Sequence, residues 1–218
     1  MSWAEVMKIN DNVKKPLNQQ IREARFLPLR IITATGTYTP EKTGVYKVIC
    51  VGAGGSSSNS SANYRTGGGG GGGVAIKTLK LLSTTSYNVT VGTTASFAYD
   101  ATAITATGGA NGSTTNYTGG TGGTGSGGDY NYTGEKASYS TTSGTIVQGG
   151  SLGVFISELS VVKSTTVYYK EEVRNVQYGT SLLGYGGGAS AVDGTSEYVV
   201  TMSGLPAAVI IIPLEMEE

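Results

Sequence analysis

Side chains able to carry chemistry are scarce in this chain. Histidine is absent and cysteine occurs once, which removes the commonest general base and zinc ligand and leaves no second thiol for an intrachain disulfide. A Ser-His-Asp relay is therefore impossible. The carboxylates Asp100, Asp129, Glu135 and Glu158 are available, and cleavage of a glycosidic bond needs two such acids placed across a cleft. Nothing in their spacing pairs them, and they read as solvated or turn-capping acids. Val74-Ala75-Ile76-Lys77 directly follows a glycine run, but a kinase site needs a strand and a turn between its glycine loop and its lysine, and an HRD and a DFG motif besides. The run does not end in Gly-Lys-Ser/Thr, as a P-loop must. The expectation is a protein that is not an enzyme and needs no metal or cofactor.

What remains is binding chemistry. Fourteen tyrosines stand against three phenylalanines and one tryptophan, a skew toward aromatics that offer an apolar ring and a hydroxyl together. The plainer reading is that tyrosine is a good strand residue, and both stay open. Basic and acidic side chains number 15 each, so there is no electrostatic footprint for nucleic acid. Cys50 lies inside an apolar strand pattern and reads as a small buried hydrophobe.

The elements that must position these side chains are organised around glycine, which supplies 35 residues against 5 prolines. Seven glycines run from Gly67 to Gly73, with further clusters at Gly52 to Gly55, Gly119 to Gly128 and Gly184 to Gly188. Between them lie strand patterns. Gly44 to Val51 is apolar at nearly every position, the mark of a strand buried on both faces, while Tyr87 to Val91 alternates as a half-buried strand does. Val74 to Leu82, Ala103 to Ala106 and Ala207 to Ile212 are further strands, the last stopped by Pro213. Glu171 to Asn175 reads as a turn. Residues 108–144 have the composition of a linker.

Residues 1–28 form a separate appendage and 29–218 a glycine-rich β domain. Ser2 and Glu5 have capping-box spacing, Trp3, Val6 and Met7 form a short apolar stripe, and Leu17, Ile21 and Ala24 share a second helical face after Pro16. Such short helices need a surface to dock on. No charged-then-apolar leader precedes them, and the apolar run from Ala207 to Ile212 is far short of the ~20 residues of a membrane helix. Synthesis in a cytoplasm without a signal peptide, and no membrane insertion, is the expectation.

The order of these pieces resembles the glycine-rich domains of bacteriophage tail fibres. Thr37-Tyr38-Thr39-Pro40, then Gly44-Val45-Tyr46-Lys47-Val48, then Gly52-Ala53-Gly54-Gly55 is similar to their opening. Gly73-Val74-Ala75-Ile76, Tyr87 to Gly92 and Gly125-Ser126-Gly127-Gly128-Asp129-Tyr130-Asn131 resemble their continuation. The resemblance covers about Gly36 to Pro213. Phe155 to Gln177 is longer and poorer in glycine than the pattern, as an inserted hairpin would be. The fold implied is all-β, a β-sandwich-like domain with long glycine-rich loops of the polyglycine-II type behind a short helical N-terminus. In that arrangement glycine runs extend at ~3.1 Å per residue and pack backbone on backbone.

The function implied is that of a virion tail-fibre or adhesin component, commonly a homotrimer, binding a glycan or protein on a bacterial surface. Residues 1–28 would join it to other tail or baseplate proteins. Tyr64, Arg65, Asn116, Tyr117, Tyr130, Asn131 and Tyr132 are the candidate receptor contacts, tyrosine stacking on sugar faces and Asn and Arg supplying hydrogen bonds. Each could equally anchor its own loop. The competing expectation is a structural subunit of a fibre, tail or surface filament that only self-associates; a sugar-cleaving tail enzyme is a third.

Overall fold

The computed structural model describes residues 28–60, 65–113, 115, 118–141, 146–154, 156, 159–169, 172–192 and 202–217. The two N-terminal stripes expected from the sequence lie outside these residues. Among the described residues all regular structure is strand. In chain order the first strands are β1 (Arg30–Ile32), β2 (Gly36–Tyr38), β3 (Gly44–Val51), β4 (Ser58–Ser60), β5 (Arg65–Gly67) and β6 (Val74–Leu81). There follow β7 (Tyr87–Val91), β8 (Ala95–Ala98), β9 (Ala103–Ala106), β10 (Gly125–Ser126), β11 (Tyr130–Tyr132), β12 (Tyr139–Ser140) and β13 (Ile146–Val147). The last are β14 (Ser160–Val161), β15 (Ser164–Tyr169), β16 (Glu172–Gln177), β17 (Ser181–Leu182), β18 (Ala191–Val192) and β19 (Ala208–Met216).

Two five-stranded antiparallel sheets carry the core, one ordered β1-β19-β3-β6-β11 and the other β10-β9-β8-β7-β2. Their register explains the double burial of β3. One row across the first sheet reads Ile31, Ile210, Ile49, Ile76, Tyr130, and the adjacent row reads Ile32, Val209, Cys50, Ala75, Asn131. Successive strand residues point to opposite faces, so the second row meets the other sheet. There Val209, Cys50 and Ala75 pack with Val89, Phe97 and Ile104 in a single cluster. The Tyr87 and Phe97 rings stack within it, centroids 5.5 Å apart. The first row belongs to a separate cluster on the far side, where Ile49, Ile76 and Ile210 pack against Leu152 and Leu182. Val48, Ile49, Cys50 and Val51 are accordingly all fully buried.

Two expectations are corrected. Glu172–Gln177 is not a turn but β16, paired along its whole length with β15 as a hairpin. Its polar sequence hid the strand, because the pattern of a strand comes from the face it buries. The C-terminal strand also does not stop at Pro213: it continues to Met216, with a register shift between Pro213 and Glu215. Arg30 on β1 reaches only to Ile211, so Pro213 stands where β19 has β3 on one side alone. Proline is tolerated at such edges and bulges because its missing N–H removes little from the ladder.

Cys50 tests the core directly. Burial pushes its thiol from 9.0 up to about 12, so almost no thiolate forms at neutral pH, and any contribution to stability is complete below the ordinary thiol pKa and lost as pH rises from there through about 12. The native chain should leave Cys50 unlabelled by a thiol reagent at pH 8 and react fully in denaturant. Rapid labelling of the native chain would contradict this packing.

Candidate functional site

The residues from Gly67 to Gly73 are not a loop around the core. They are the axis of a second body built from backbone. Gly68, Gly69 and Gly70 donate their N–H groups to the carbonyls of Ser138, Ala189 and Ala110, and Gly71, Gly72 and Gly73 then donate to Glu135, Gly186 and Thr107, all at 2.8–3.0 Å. Donors three residues apart thus serve the same neighbour, which is the repeat of an extended three-residue-per-turn helix. The carbonyls do the same for the other side: Gly68 and Gly71 accept from Gly120 and Gly123, Gly70 and Gly73 from Gly55 and Gly52, and Gly69 from Gly150.

Six segments therefore surround the axis: 52–57, 107–112, 118–124, 134–138, 148–152 and 186–190. Each is also bonded to the next around the ring. Gly109 donates to Ala53, Ala110 to Thr121, Gly134 to Gly123, Glu135 to Ser151, Gly188 to Gly150 and Ala189 to Gly55, at 2.7–3.0 Å. The ring closes completely. On one flank it is covered further, where Gly54 donates to Leu205, Leu205 to Gly187 and Gly179 to Gly188.

Glycine is required here by distance and not by torsion. No glycine from Gly67 to Gly73 lies at positive φ, and a Cβ at any of them would fall less than 3.0 Å from backbone of another segment. Thr118, Thr121 and Thr124 show the same rule from outside. They recur every third residue in Thr118-Gly119-Gly120-Thr121-Gly122-Gly123-Thr124, with Thr121 and Thr124 exposed, while a Cβ on Gly120 or Gly123 would strike the 107–112 segment. This period of three was the signal available in the sequence for a stretch whose composition suggests a linker.

The bundle has two ends. At one, Val51 passes into Gly52, Gly73 into Val74, Ala106 into Thr107 and Thr124 into Gly125, so its segments continue the strands of both sheets. At the other end lie β4 and β5, the Ser113–Thr118 bridge, β12 and β13, and β18. β12 pairs with β5, whose other edge holds β4, and β13 pairs with β18.

The candidate contacts divide between these ends. Arg65 lies on β5 opposite Ser60 at the distal end. Tyr64, Asn116 and Tyr117 lie outside the described residues; in sequence they fall between β4 and β5 and between Ser113 and Thr118. Tyr130, Asn131 and Tyr132 are on β11 beside β6 at the sandwich end. Six residues at ~3.1 Å separate Gly67 from Gly73, so the two ends of the axial run stand roughly 19 Å apart, with Arg65 and β11 beyond opposite ends. Asn131 commits its amide locally, donating to the Gly128 carbonyl and accepting the Gly128 N–H, both at 3.0 Å. Asp129 accepts the Thr78 N–H at 2.9 Å, and Gly127 turns the chain at φ +74°. The Gly125-to-Asn131 motif is thus a structural corner. Tyr132 is half-buried against the outer apolar cluster, whereas Tyr130 is 64% exposed.

One surface cluster went unnoticed in the sequence because its members are brought together across strands. Lys77 Nζ sits 5.2 Å from the centre of the Tyr99 ring and 4.0 Å from Asp129 Oδ1. A hydrogen bond with Tyr99 raises its pKa. Nearby, the Thr102 hydroxyl and N–H both donate to Asp100 and hold its carboxyl below the usual range. These groups brace the β8–β9 corner and offer no acid–base pair.

A family model described as a glycine-rich domain matches residues 33–206. No curated protein matches the chain.

Backbone packing of this kind gives substitution an unusual sign. At Gly36 and Gly92 a Cβ would meet nothing within 4 Å, so Gly92→Ala should be neutral or stabilise by up to ~1 kcal/mol through the unfolded chain. Gly71→Ala should instead destabilise by about 3 kcal/mol, the upper end of overpacking costs. Equal effects of the two in denaturant titrations would contradict the bundle.

Proposed function

The chain belongs to the glycine-rich domain family, and from that premise we propose that it is a tail-fibre or adhesin component of a virion that binds a receptor on a bacterial surface. A β-sandwich forms the base, a polyglycine-II bundle forms the stem, and the connections at the far end of the stem make the contact. The observation that carries this reading is the gathering of β4, β5, β12, β13, β18 and the Ser113–Thr118 bridge at one end of a body whose axis is bare glycine backbone. Such a body is rigid without depending on the loops it displays, because each glycine bonds to a neighbour that is itself bonded on both sides. Loops held by a scaffold of this kind can vary in sequence while their bases stay fixed. Tyr64, Arg65, Asn116 and Tyr117 are the contact residues on this reading. Residues 1–28 join the domain to other tail or baseplate proteins, and the assembly is a homotrimer on the virion tail.

The test is attachment of the purified protein to host cells. Replacing Tyr64, Arg65, Asn116 and Tyr117 together by alanine should weaken attachment at least tenfold, about 1.4 kcal/mol. The melting temperature should stay within about 2 °C, since residues that contact only the receptor change stability by a few tenths of a kcal/mol. Tyr130→Ala, at the opposite end, is the comparison and should attach normally. Attachment that survives the quadruple variant would overturn the assignment.

A further inference from the structure

The chain crosses from one sheet to the other between β1 and β2. β1 is an edge of the first sheet and β2 an edge of the second, so the link at 33–35 spans one open side of the sandwich. Thr35 fixes that link, its hydroxyl donating to the Val91 carbonyl at 3.2 Å and accepting the Val91 N–H at 3.0 Å. Between the two edges lies a cleft of about 490 Å³, with Arg30, Ile31, Tyr38, Glu41, Tyr46 and Pro213 among its walls. That volume falls in the range of small-ligand pockets, roughly 300–1,000 Å³.

Arg30 donates to Glu41 at 2.7 Å, and both side chains are more than half exposed. A guanidinium carries more donors, and a carboxylate more acceptor sites, than one bond uses. Donors and acceptors are therefore left side by side at the cleft. Tyr46 commits its hydroxyl to the Lys42 carbonyl and Thr39 shares a bond with Ser86, both at 2.7 Å. Tyr38 has no such bond among the described residues. Burial, with Tyr46 beside it, pushes its pKa from 10.0 up to about 12, so the hydroxyl stays protonated and can both donate and accept. The opposed charges of Arg30 and Glu41 cancel, which favours neither an anion nor a cation over a neutral molecule. A fitting ligand is neutral, alternates donors and acceptors along one edge, and offers C–H faces to Ile31 and Pro213. A pyranose does all three. We infer that this cleft is a second binding site, holding one hexose unit of a neutral saccharide between the Arg30–Glu41 pair and Tyr38. It belongs to the sandwich and does not depend on what the distal end of the stem contacts.

The test is a residue-resolved NMR titration of the full-length chain with D-glucose, D-galactose and N-acetyl-D-glucosamine, each alone. At least one should shift the Arg30, Tyr38 and Glu41 amides saturably at millimolar concentration and leave Gly69 to Gly72 unmoved. Tyr38→Phe and Glu41→Gln should each weaken that binding at least fivefold, with Cys50 unlabelled as the sign that the sandwich is folded. Glu41 is exposed, so Glu41→Gln carries the test if Tyr38→Phe fails to fold. The variant replaced at Tyr64, Arg65, Asn116 and Tyr117 should bind the sugar as the native chain does, which separates this site from host attachment at the distal end. No shift with any of the three sugars, equal shifts with acetate, or undiminished binding in the folded cleft variants would overturn the inference. Saturation by a trivaline peptide and by none of the sugars would overturn it as well, because the cleft would then take an added strand.

Discussion

Every N–H from Gly68 to Gly73 is donated to a neighbouring segment, and donors three residues apart share one partner. That single regularity dictates the rest of the bundle. Three directions of donation and three of acceptance call for six neighbours around the axis. Neighbours close enough for N–H···O bonds leave no space for a Cβ on the axial chain, so all seven axial positions are glycine. The ordering of glycine is costly, because it loses more backbone freedom than any other residue. The offset comes from donation of every axial N–H from Gly68 to Gly73 in a water-poor interior, where an unpaired peptide group would itself be expensive, and from close backbone contact.

Such a bundle could not be set in register by itself, since glycines carry nothing that distinguishes one position from the next. The sandwich supplies the register. β3 and β6 are paired residue by residue from Gly44 opposite Leu81 to Val51 opposite Val74, and the next donated bond, from Gly52 to Gly73, already belongs to the bundle. β9 and β10 hand over in the same way, the Thr107 N–H donating to Thr124 at 2.9 Å just past the pair Ala106–Gly125. Each of these strands changes from packing side chains to packing backbone within one residue. The apolar core therefore fixes where every glycine stands, and the stem transmits that position to its far end.

What was legible in the sequence follows the same division. β3, β7 and β9 could be read with their ends correct, because burial writes a pattern of side chains along a strand. The all-β class followed from them. Residues 108–144 could not be read by the same means. Packing of bare backbone leaves no apolar pattern, and its composition is that of a linker; only the threonines at 118, 121 and 124 mark the repeat. β16 was hidden because its residues, Glu172 to Gln177, are mostly polar. The candidate contacts could be chosen by type but not by place. That Arg65 and the turn between Ser113 and Thr118 share one end, while Tyr130 sits at the other, depends on six segments closing around an axis, and no local spacing records it. Asn131 was legible as a polar side chain near glycines, and its bonds to Gly128 give it a local role.

The stem exists only if the axial glycines are bonded as a unit. Amide exchange of Gly68 to Gly73, resolved residue by residue by NMR in the intact chain, is the most direct measurement. The bundle predicts slow exchange at all six positions, comparable to Ile49 and Cys50 in β3. Exchange at the rate of an unstructured glycine peptide, with β3 still protected, would mean that the sandwich folds without a stem.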